Sequence, residues 1–76
     1  MLNLIGYVNA GYTIFCVFAP RHDRGLVIAK RENEYVVWYF NMSEDKPDFY
    51  WGHYSPSYKL TMEVFNSKTK TWIEED

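Results

Sequence analysis

Apolar and aromatic residues form short runs, separated by small polar breaks, along the first two thirds of the chain. Runs rich in β-branched and aromatic residues favour strands, and glycine, proline and asparagine between them indicate turns. The pattern predicts five strands, over residues 2–8, 12–19, 26–30, 35–42 and 49–54. We expect the second strand to stop at Pro20, because proline lacks the backbone N–H that a ladder needs.

The last third of the chain fits two periodicities. Residues 58–64 alternate apolar and polar side chains, as a strand does, whereas Tyr58, Met62, Phe65, Thr69 and Trp72 lie on one face of a helix. Ser55 and Ser57 flank Pro56, a pattern typical of a helix start. A helix would also cover an otherwise exposed sheet face. We therefore predict a helix over residues 57–68.

These elements predict an α+β fold within one domain, residues 1–76. The sheet is a four- to five-stranded antiparallel β-meander, and the C-terminal helix packs on one of its faces. Successive side chains of a strand point to opposite faces, yet residues 35–41 carry apolar side chains on both. One short helix cannot cover two faces. Either the sheet curls, or the chain self-associates, or a partner covers one face.

Residues 34–54 hold eight of the fifteen aromatic side chains. A chain of 76 residues needs such rings, because a domain this small buries only about 60% of its unfolded surface. Alternating side chains point to opposite faces of a strand, which separates most tyrosines from the tryptophans and phenylalanines. Because tyrosine tolerates water at its hydroxyl, we assign the tyrosine face to the outside. We expect Trp38, Phe40, Phe49 and Trp51 in the core, and an outward tyrosine face made of Tyr35, Tyr39, Tyr50 and Tyr54.

Charge argues against a nucleic-acid partner. The formal net charge is −2, and residues 32–48 carry five acidic side chains against Lys46. Arg21 and Arg24 would lie at one end of a strand and Lys30 and Arg31 at the other, about 20 Å away. A single-strand binder needs a basic groove beside its aromatic rings, so nucleic acid is the less favoured partner.

Catalytic and metal-binding patterns are absent from the sequence. His22 and His53 are the only histidines and Cys16 is the only cysteine, so paired zinc ligands are missing. No glycine-flanked nucleophile or phosphate loop occurs either. We expect no enzyme activity, no cofactor and no metal. The single cysteine fits a reducing compartment, and no apolar run is long enough for a membrane helix, so we expect a cytoplasmic protein without a membrane partner.

The strings EYVVWYF and FYWGHYS, with VFNSK downstream, resemble small uncharacterised proteins of phages and mobile elements of Gram-positive bacteria. In those proteins a helix ending in a Phe-Asn-like pair follows an aromatic hairpin, and Phe65-Asn66 matches that pair. The resemblance covers residues 34–68 and departs at Ser55-Pro56-Ser57, where a more acidic helix start is expected. It implies an accessory role, since small phage proteins often bind and block host proteins.

The leading hypothesis is a small non-enzymatic interaction module that binds or inhibits a host protein, such as a defence or nucleic-acid-processing factor. The partner-binding residues we predict are the four tyrosines of the outward face and three acidic residues of the central hairpin, Glu44, Asp45 and Asp48. The alternatives are a single-stranded nucleic-acid binder that uses the aromatic rings, and a self-associating protein whose tyrosine faces pair in a homodimer.

Overall fold

The computed structural model describes residues 3–21 and 23–75. It contains five strands and one helix, which follow one another along the chain. The elements are β1 (Val8–Asn9), β2 (Tyr12–Arg21), β3 (Arg24–Arg31), β4 (Glu34–Ser43), β5 (Lys46–Ser55) and α1 (Tyr58–Glu75). The predicted α+β class, with one C-terminal helix on an antiparallel sheet, is confirmed.

The sheet is a curled meander in which each strand pairs antiparallel with the next, in the order β1-β2-β3-β4-β5. Two residues separate each pair of consecutive strands along the chain. Ala10-Gly11 and Glu44-Asp45 form turns in which both residues have positive φ. Positive φ at both central positions matches the twist of a tight hairpin. Adjacent strands are thus linked as closely as the chain allows.

The bounds predicted for the first two strands were wrong, and β3, β4 and β5 each extend beyond their predicted bounds at both ends. The first strand is short: β1 has only Val8 and Asn9, and the predicted start at Leu2 lies outside the described residues. The second strand continues through Pro20 to Arg21. β1 pairs only with the start of β2, so one side of β2 is an edge of the sheet near Pro20, where a missing ladder donor is tolerated.

The helix begins at the predicted serine cap. The Ser57 hydroxyl accepts a hydrogen bond from the Leu60 N–H at 3.1 Å, and the Ser55 hydroxyl accepts one from the Ser57 N–H at 3.0 Å. These bonds satisfy donors that the first turn leaves unpaired. The helix therefore resolves the ambiguity at residues 58–64, and it runs to Glu75 rather than to residue 68 because its apolar face continues to Trp72.

Both faces of the sheet carry a hydrophobic core. On one face, α1 places Phe65, Met62 and Trp72 over Leu26, Ile28 and Val37 of β3 and β4. On the opposite face, the curled strands enclose a second core that includes Leu4 from the N-terminal segment. Its other buried members are Tyr12, Ile14, Val27, Ala29, Val36, Trp38 and Phe40. Curling thus provides much of the cover that one helix cannot.

Candidate functional site

A β-bulge interrupts the edge strand β5. Val37 of β4 lies opposite His53, but Tyr39, two residues later, lies opposite Tyr50, so β5 contains one extra residue over this interval. Trp51 within the bulge has a φ of 53°, in the left-handed region that bulky side chains rarely adopt. The bulge reverses the alternation of side chains along β5.

Gly52 is required next to the bulge by close packing. A Cβ atom at this position would lie 2.7 Å from a ring carbon of Tyr54 and 2.9 Å from Nε1 of Trp38. Trp38 Nε1 donates a hydrogen bond of 3.2 Å to the Tyr54 hydroxyl at this point. The absence of a side chain on Gly52 therefore lets β5 approach the buried indole closely, while Trp51 turns away from that core.

The bulge produces a cluster of four rings, Tyr39, Tyr50, Trp51 and Trp72, which we call the Trp51 surface. Tyr39 stacks on Tyr50 and on Trp72, with ring centroids 5.7 and 6.1 Å apart. Trp51 meets Tyr39 and Tyr50 edge to face, at 5.4 and 5.0 Å. Trp51 is 75% exposed, whereas the other three rings are half-buried. The cluster therefore holds one indole outward on a packed aromatic base.

Charged groups border the Trp51 surface. The ammonium group of Lys68 lies 4.9 Å from the centroid of the Tyr39 ring, a cation–π contact worth about 0.5–1 kcal/mol at an exposed site. Asp48 precedes Tyr50 by two residues on β5, and residues two apart share a face of a strand. The surface thus combines apolar rings with one cation and an exposed carboxylate near it.

The predicted tyrosine face does not exist as one outward surface. Tyr39 and Tyr50 lie together beneath the C-terminal part of α1, whereas Tyr35 packs between Phe15 and Tyr58, at centroid distances of 6.4 and 5.5 Å. The bulge places Tyr54 on the opposite face of the sheet, against Tyr12 and Trp38. The expectation that α1 would leave the face of Tyr35 and Tyr39 open was wrong.

The predicted core assignment holds in part. Trp38 and Phe40 are buried as expected, and Phe49 is partly buried against them, with its ring centroid 5.2 Å from that of Trp38. Trp51 is not in the core, since three quarters of it is exposed. The left-handed backbone at this residue removes it from the face that simple alternation assigns.

The three predicted acidic residues lie at or near the tip of the β4–β5 hairpin. Glu44 and Asp45 form its two-residue turn, and Asp48 lies opposite Asn41. All three are exposed. Asp48 is near Tyr50 along β5, so the hairpin tip borders the Trp51 surface rather than the other two tyrosines.

A second polar group lies on the opposite face. The Tyr12 hydroxyl donates a hydrogen bond to Glu34 Oε1, and the Arg31 guanidinium lies 4.8 Å from the Tyr12 ring centroid. The hydrogen bond to Glu34, together with burial, raises the pKa of Tyr12. This contact ties the start of β2 to the turn between β3 and β4. The hydrogen bond satisfies the hydroxyl of the buried Tyr12 ring, so a structural role is enough to explain this residue.

Other chemistry is not evident in the part of the chain that the structure describes. Within residues 3–21 and 23–75, no group of three or more His, Cys, Asp or Glu side chains could hold a metal ion. Burial raises the pKa of the half-buried Cys16 thiol, which disfavours the reactive thiolate. Among the described residues, no helix combines the length and the apolar character needed to cross a membrane. His22 lies outside the described residues.

Comparison of the chain with protein-family models, curated proteins and solved structures finds no match. What the site can do must therefore follow from its own residues. Sequence reasoning found Tyr39 and Tyr50 but missed Trp51, Trp72 and Lys68 as their neighbours. The signal that could have found Trp51 is Gly52, because an isolated glycine inside a strand indicates a bulge.

Proposed function

We propose that this protein is a non-enzymatic, cytoplasmic interaction module that binds another protein through the Trp51 surface. The single observation that carries the proposal is the 75% exposure of Trp51 on a left-handed backbone. A left-handed conformation costs roughly 1–2 kcal/mol for a residue with a Cβ atom. Strain of this kind, where burial does not explain it, is typical of functional sites.

The chemistry of the Trp51 surface suits a protein partner. Tryptophan and tyrosine are enriched among the few residues that contribute most binding energy at interfaces. Here two half-buried rings, Tyr39 and Tyr50, contact the exposed indole and restrict its motion, which lowers the entropy lost on binding. The complementary partner would offer an apolar pocket for the Trp51 indole and a carboxylate for Lys68.

An accessory role that blocks a host protein fits such a surface, as the resemblance to phage and mobile-element proteins implies. A small module without catalytic groups can inhibit by covering a site on its target. Glu44, Asp45 and Asp48 would form a second contact at the edge of the same interface, where charge affects the association rate and specificity. Tyr35 and Tyr54 stand apart from this surface, so the proposal gives them no central part.

The test compares three proteins as immobilised bait: the wild type, Trp51→Gly and Leu60→Ala. Glycine removes the indole and accepts the left-handed backbone, so the fold should persist. Leu60 is an exposed apolar residue on α1 that matches Trp51 in surface character. A partner recovered by the wild type is then purified, and its dissociation constant is measured for each variant.

We expect Trp51→Gly to weaken binding at least about thirtyfold, equivalent to the roughly 2 kcal/mol that defines an interface hot spot. Leu60→Ala should bind like the wild type. Equal affinity for all three proteins would refute the proposed surface. Binding of oligonucleotides that depends on Trp51 and falls steeply with salt would favour the nucleic-acid alternative instead.

A further inference from the structure

Side-chain cations cover three aromatic rings of the sheet. The pairs are Arg31 on Tyr12, Lys68 on Tyr39 and Lys30 on Phe15, at 4.8, 4.9 and 6.0 Å from the ring centroids. Each of these rings is buried or half-buried. Trp51 is 75% exposed, yet among residues 3–21 and 23–75 no cation lies over its indole. Tryptophan is the strongest cation–π acceptor among the aromatic side chains, so Trp51 offers a favourable ring to a cation from another molecule.

The contact at Tyr12 shows which groups surround such a cation in this fold. Arg31 and Glu34 lie opposite each other in the β3–β4 pairing, and Glu34 accepts the hydrogen bond of the Tyr12 hydroxyl. The guanidinium therefore lies over a ring that has a carboxylate beside it. The ring face and the carboxylate both attract a positive charge, so a pair of these groups is a suitable place for a guanidinium.

The Trp51 surface has the same two kinds of group along β5. Asp48 precedes Trp51 by three residues and Asp45 precedes Asp48 by three, which places them about 10 and 20 Å from the indole along the strand. Both acids and Glu44 are exposed, and within the described residues none of the three is in an ion pair. Lys46 is the single cation of the hairpin tip. Negative charge in excess therefore extends from the exposed indole to the tip.

Lys68 limits where a further cation can bind. Its ammonium group lies over the Tyr39 ring, on the side of the Trp51 surface next to α1, and like charges repel. The partner carboxylate proposed for Lys68 would bind on that side. A partner cation is therefore directed to the β5 side, where it meets the Trp51 indole and Asp48.

We propose that the partner of the Trp51 surface carries a basic segment that runs along β5. One arginine guanidinium would stack on the Trp51 indole, and further cations would pair with Asp48 and the hairpin tip. This inference rests on the proposed function and names the chemistry of its partner. Arginine suits the stacked position better than lysine, because its planar group stacks on aromatic faces and is weakly hydrated. The apolar pocket for the indole would then contain an arginine in its wall.

The test uses defined peptides. The first is a seven-residue alanine peptide with arginine at its first, fourth and seventh residues. In a polyproline II conformation these arginines share one face, about 9 Å apart, which matches the spacing of Trp51, Asp48 and Asp45. The second peptide has citrulline in place of arginine, which exchanges the cation for a neutral group of nearly the same shape. The third has glutamate at the same places and tests the opposite charge.

NMR titrations of isotope-labelled protein at low salt follow the indole N–H signal of Trp51, which is assigned by its loss in Trp51→Gly. We expect the arginine peptide to shift this signal and to bind at least about tenfold more tightly than the citrulline peptide. Glu44→Gln, Asp45→Asn and Asp48→Asn in one variant should weaken that binding at least about threefold. Glu63→Gln, which neutralises an exposed acid of α1, is the matched control and should bind like the wild type.

Several outcomes would overturn the basic segment: equal binding of the arginine and citrulline peptides, tighter binding of the glutamate peptide, or an unshifted Trp51 signal at millimolar peptide. Binding of the arginine peptide that persists in Trp51→Gly would also overturn it. These outcomes leave the proposed function standing, because that function is tested by the affinity of the purified partner for Trp51→Gly. A partner that binds this variant like the wild type would refute the proposed function, and this inference with it.

Discussion

Replacement of Trp51 by glycine and by alanine separates the backbone strain at this residue from the contacts of its ring. Both variants lose the indole, so they differ only in the Cβ atom. Trp51 has a φ of 53°, a conformation that glycine adopts freely and alanine does not. We therefore expect Trp51→Gly to be more stable than Trp51→Ala, which is the reverse of the usual order in a strand.

The expected magnitude combines two opposing effects. The left-handed backbone costs alanine roughly 1–2 kcal/mol, whereas glycine loses about 0.5–1 kcal/mol more entropy than alanine on folding. The strain is the larger effect, and glycine should be favoured at Trp51 by about 0.5–1 kcal/mol. His53 supplies the control position, because it is exposed on the same strand and its φ is not positive. There, alanine should be favoured by about 0.5–1 kcal/mol.

Urea unfolding of the four variants measures these differences. For so small a domain, 1 kcal/mol shifts the urea midpoint by up to about 1 M and the melting temperature by about 4–8 °C. The order of alanine and glycine should reverse between Trp51 and His53. If alanine were favoured over glycine at Trp51 by as much as at His53, the left-handed backbone would be absent or without cost. The strain on which the proposed binding surface depends would then be refuted.

Three contacts elsewhere in the fold give further predictions. Gly52→Ala should lower the free energy of unfolding by about 1–3 kcal/mol, because its methyl group would meet the buried Trp38 ring and the Tyr54 ring; an unchanged urea midpoint would contradict that crowding. Tyr39→Ala should cost about 2–4 kcal/mol because it removes the ring stacked on Trp72, whereas Tyr39→Phe should keep the wild-type melting temperature; equal melting of both variants would contradict the packing. The pKa of Tyr12 is raised by its hydrogen bond to Glu34, so this contact should stabilise fully below about pH 10 and be lost as pH rises through the folded pKa. Tyr12→Phe should show a smaller alkaline loss of stability in urea titrations, and an identical pH profile would count against the contact.

The sequence predicts the order of the elements because each element has a local cause. Residues 35–42 are rich in β-branched and aromatic side chains, which favour a strand, and Ser57 provides a helix cap. Because the polar breaks between strands are short, each strand can pair only with the next one along the chain, which gives a meander. The helix extends beyond residue 68 because Trp72 finds a ring to stack on, and that ring belongs to a strand distant in sequence. Local patterns do not contain such a contact.

The faces of the sheet could not be predicted from alternation. The bulge at Trp51 reverses β5, so Tyr54 lies on the face opposite Tyr50. Tryptophan has no preference for a left-handed backbone, and only Gly52 hints at the irregularity. The tyrosine face was assigned to solvent because the tyrosine hydroxyl tolerates water. Tyr39 nevertheless buries part of its ring under α1. The candidate site was therefore half predictable: two of its rings were identified, but not their exposed neighbour.

The meander has a consequence for how fast the chain folds. Every strand pairs with the next strand along the chain, so each pair can form as a local hairpin, an event of about 1–10 μs in isolation. Proteins with mainly local pairings fold faster than sheets that join distant segments. We expect the middle strand, β3, to pair with β2 and β4 first. The helix α1 should pack onto the sheet after the sheet has formed.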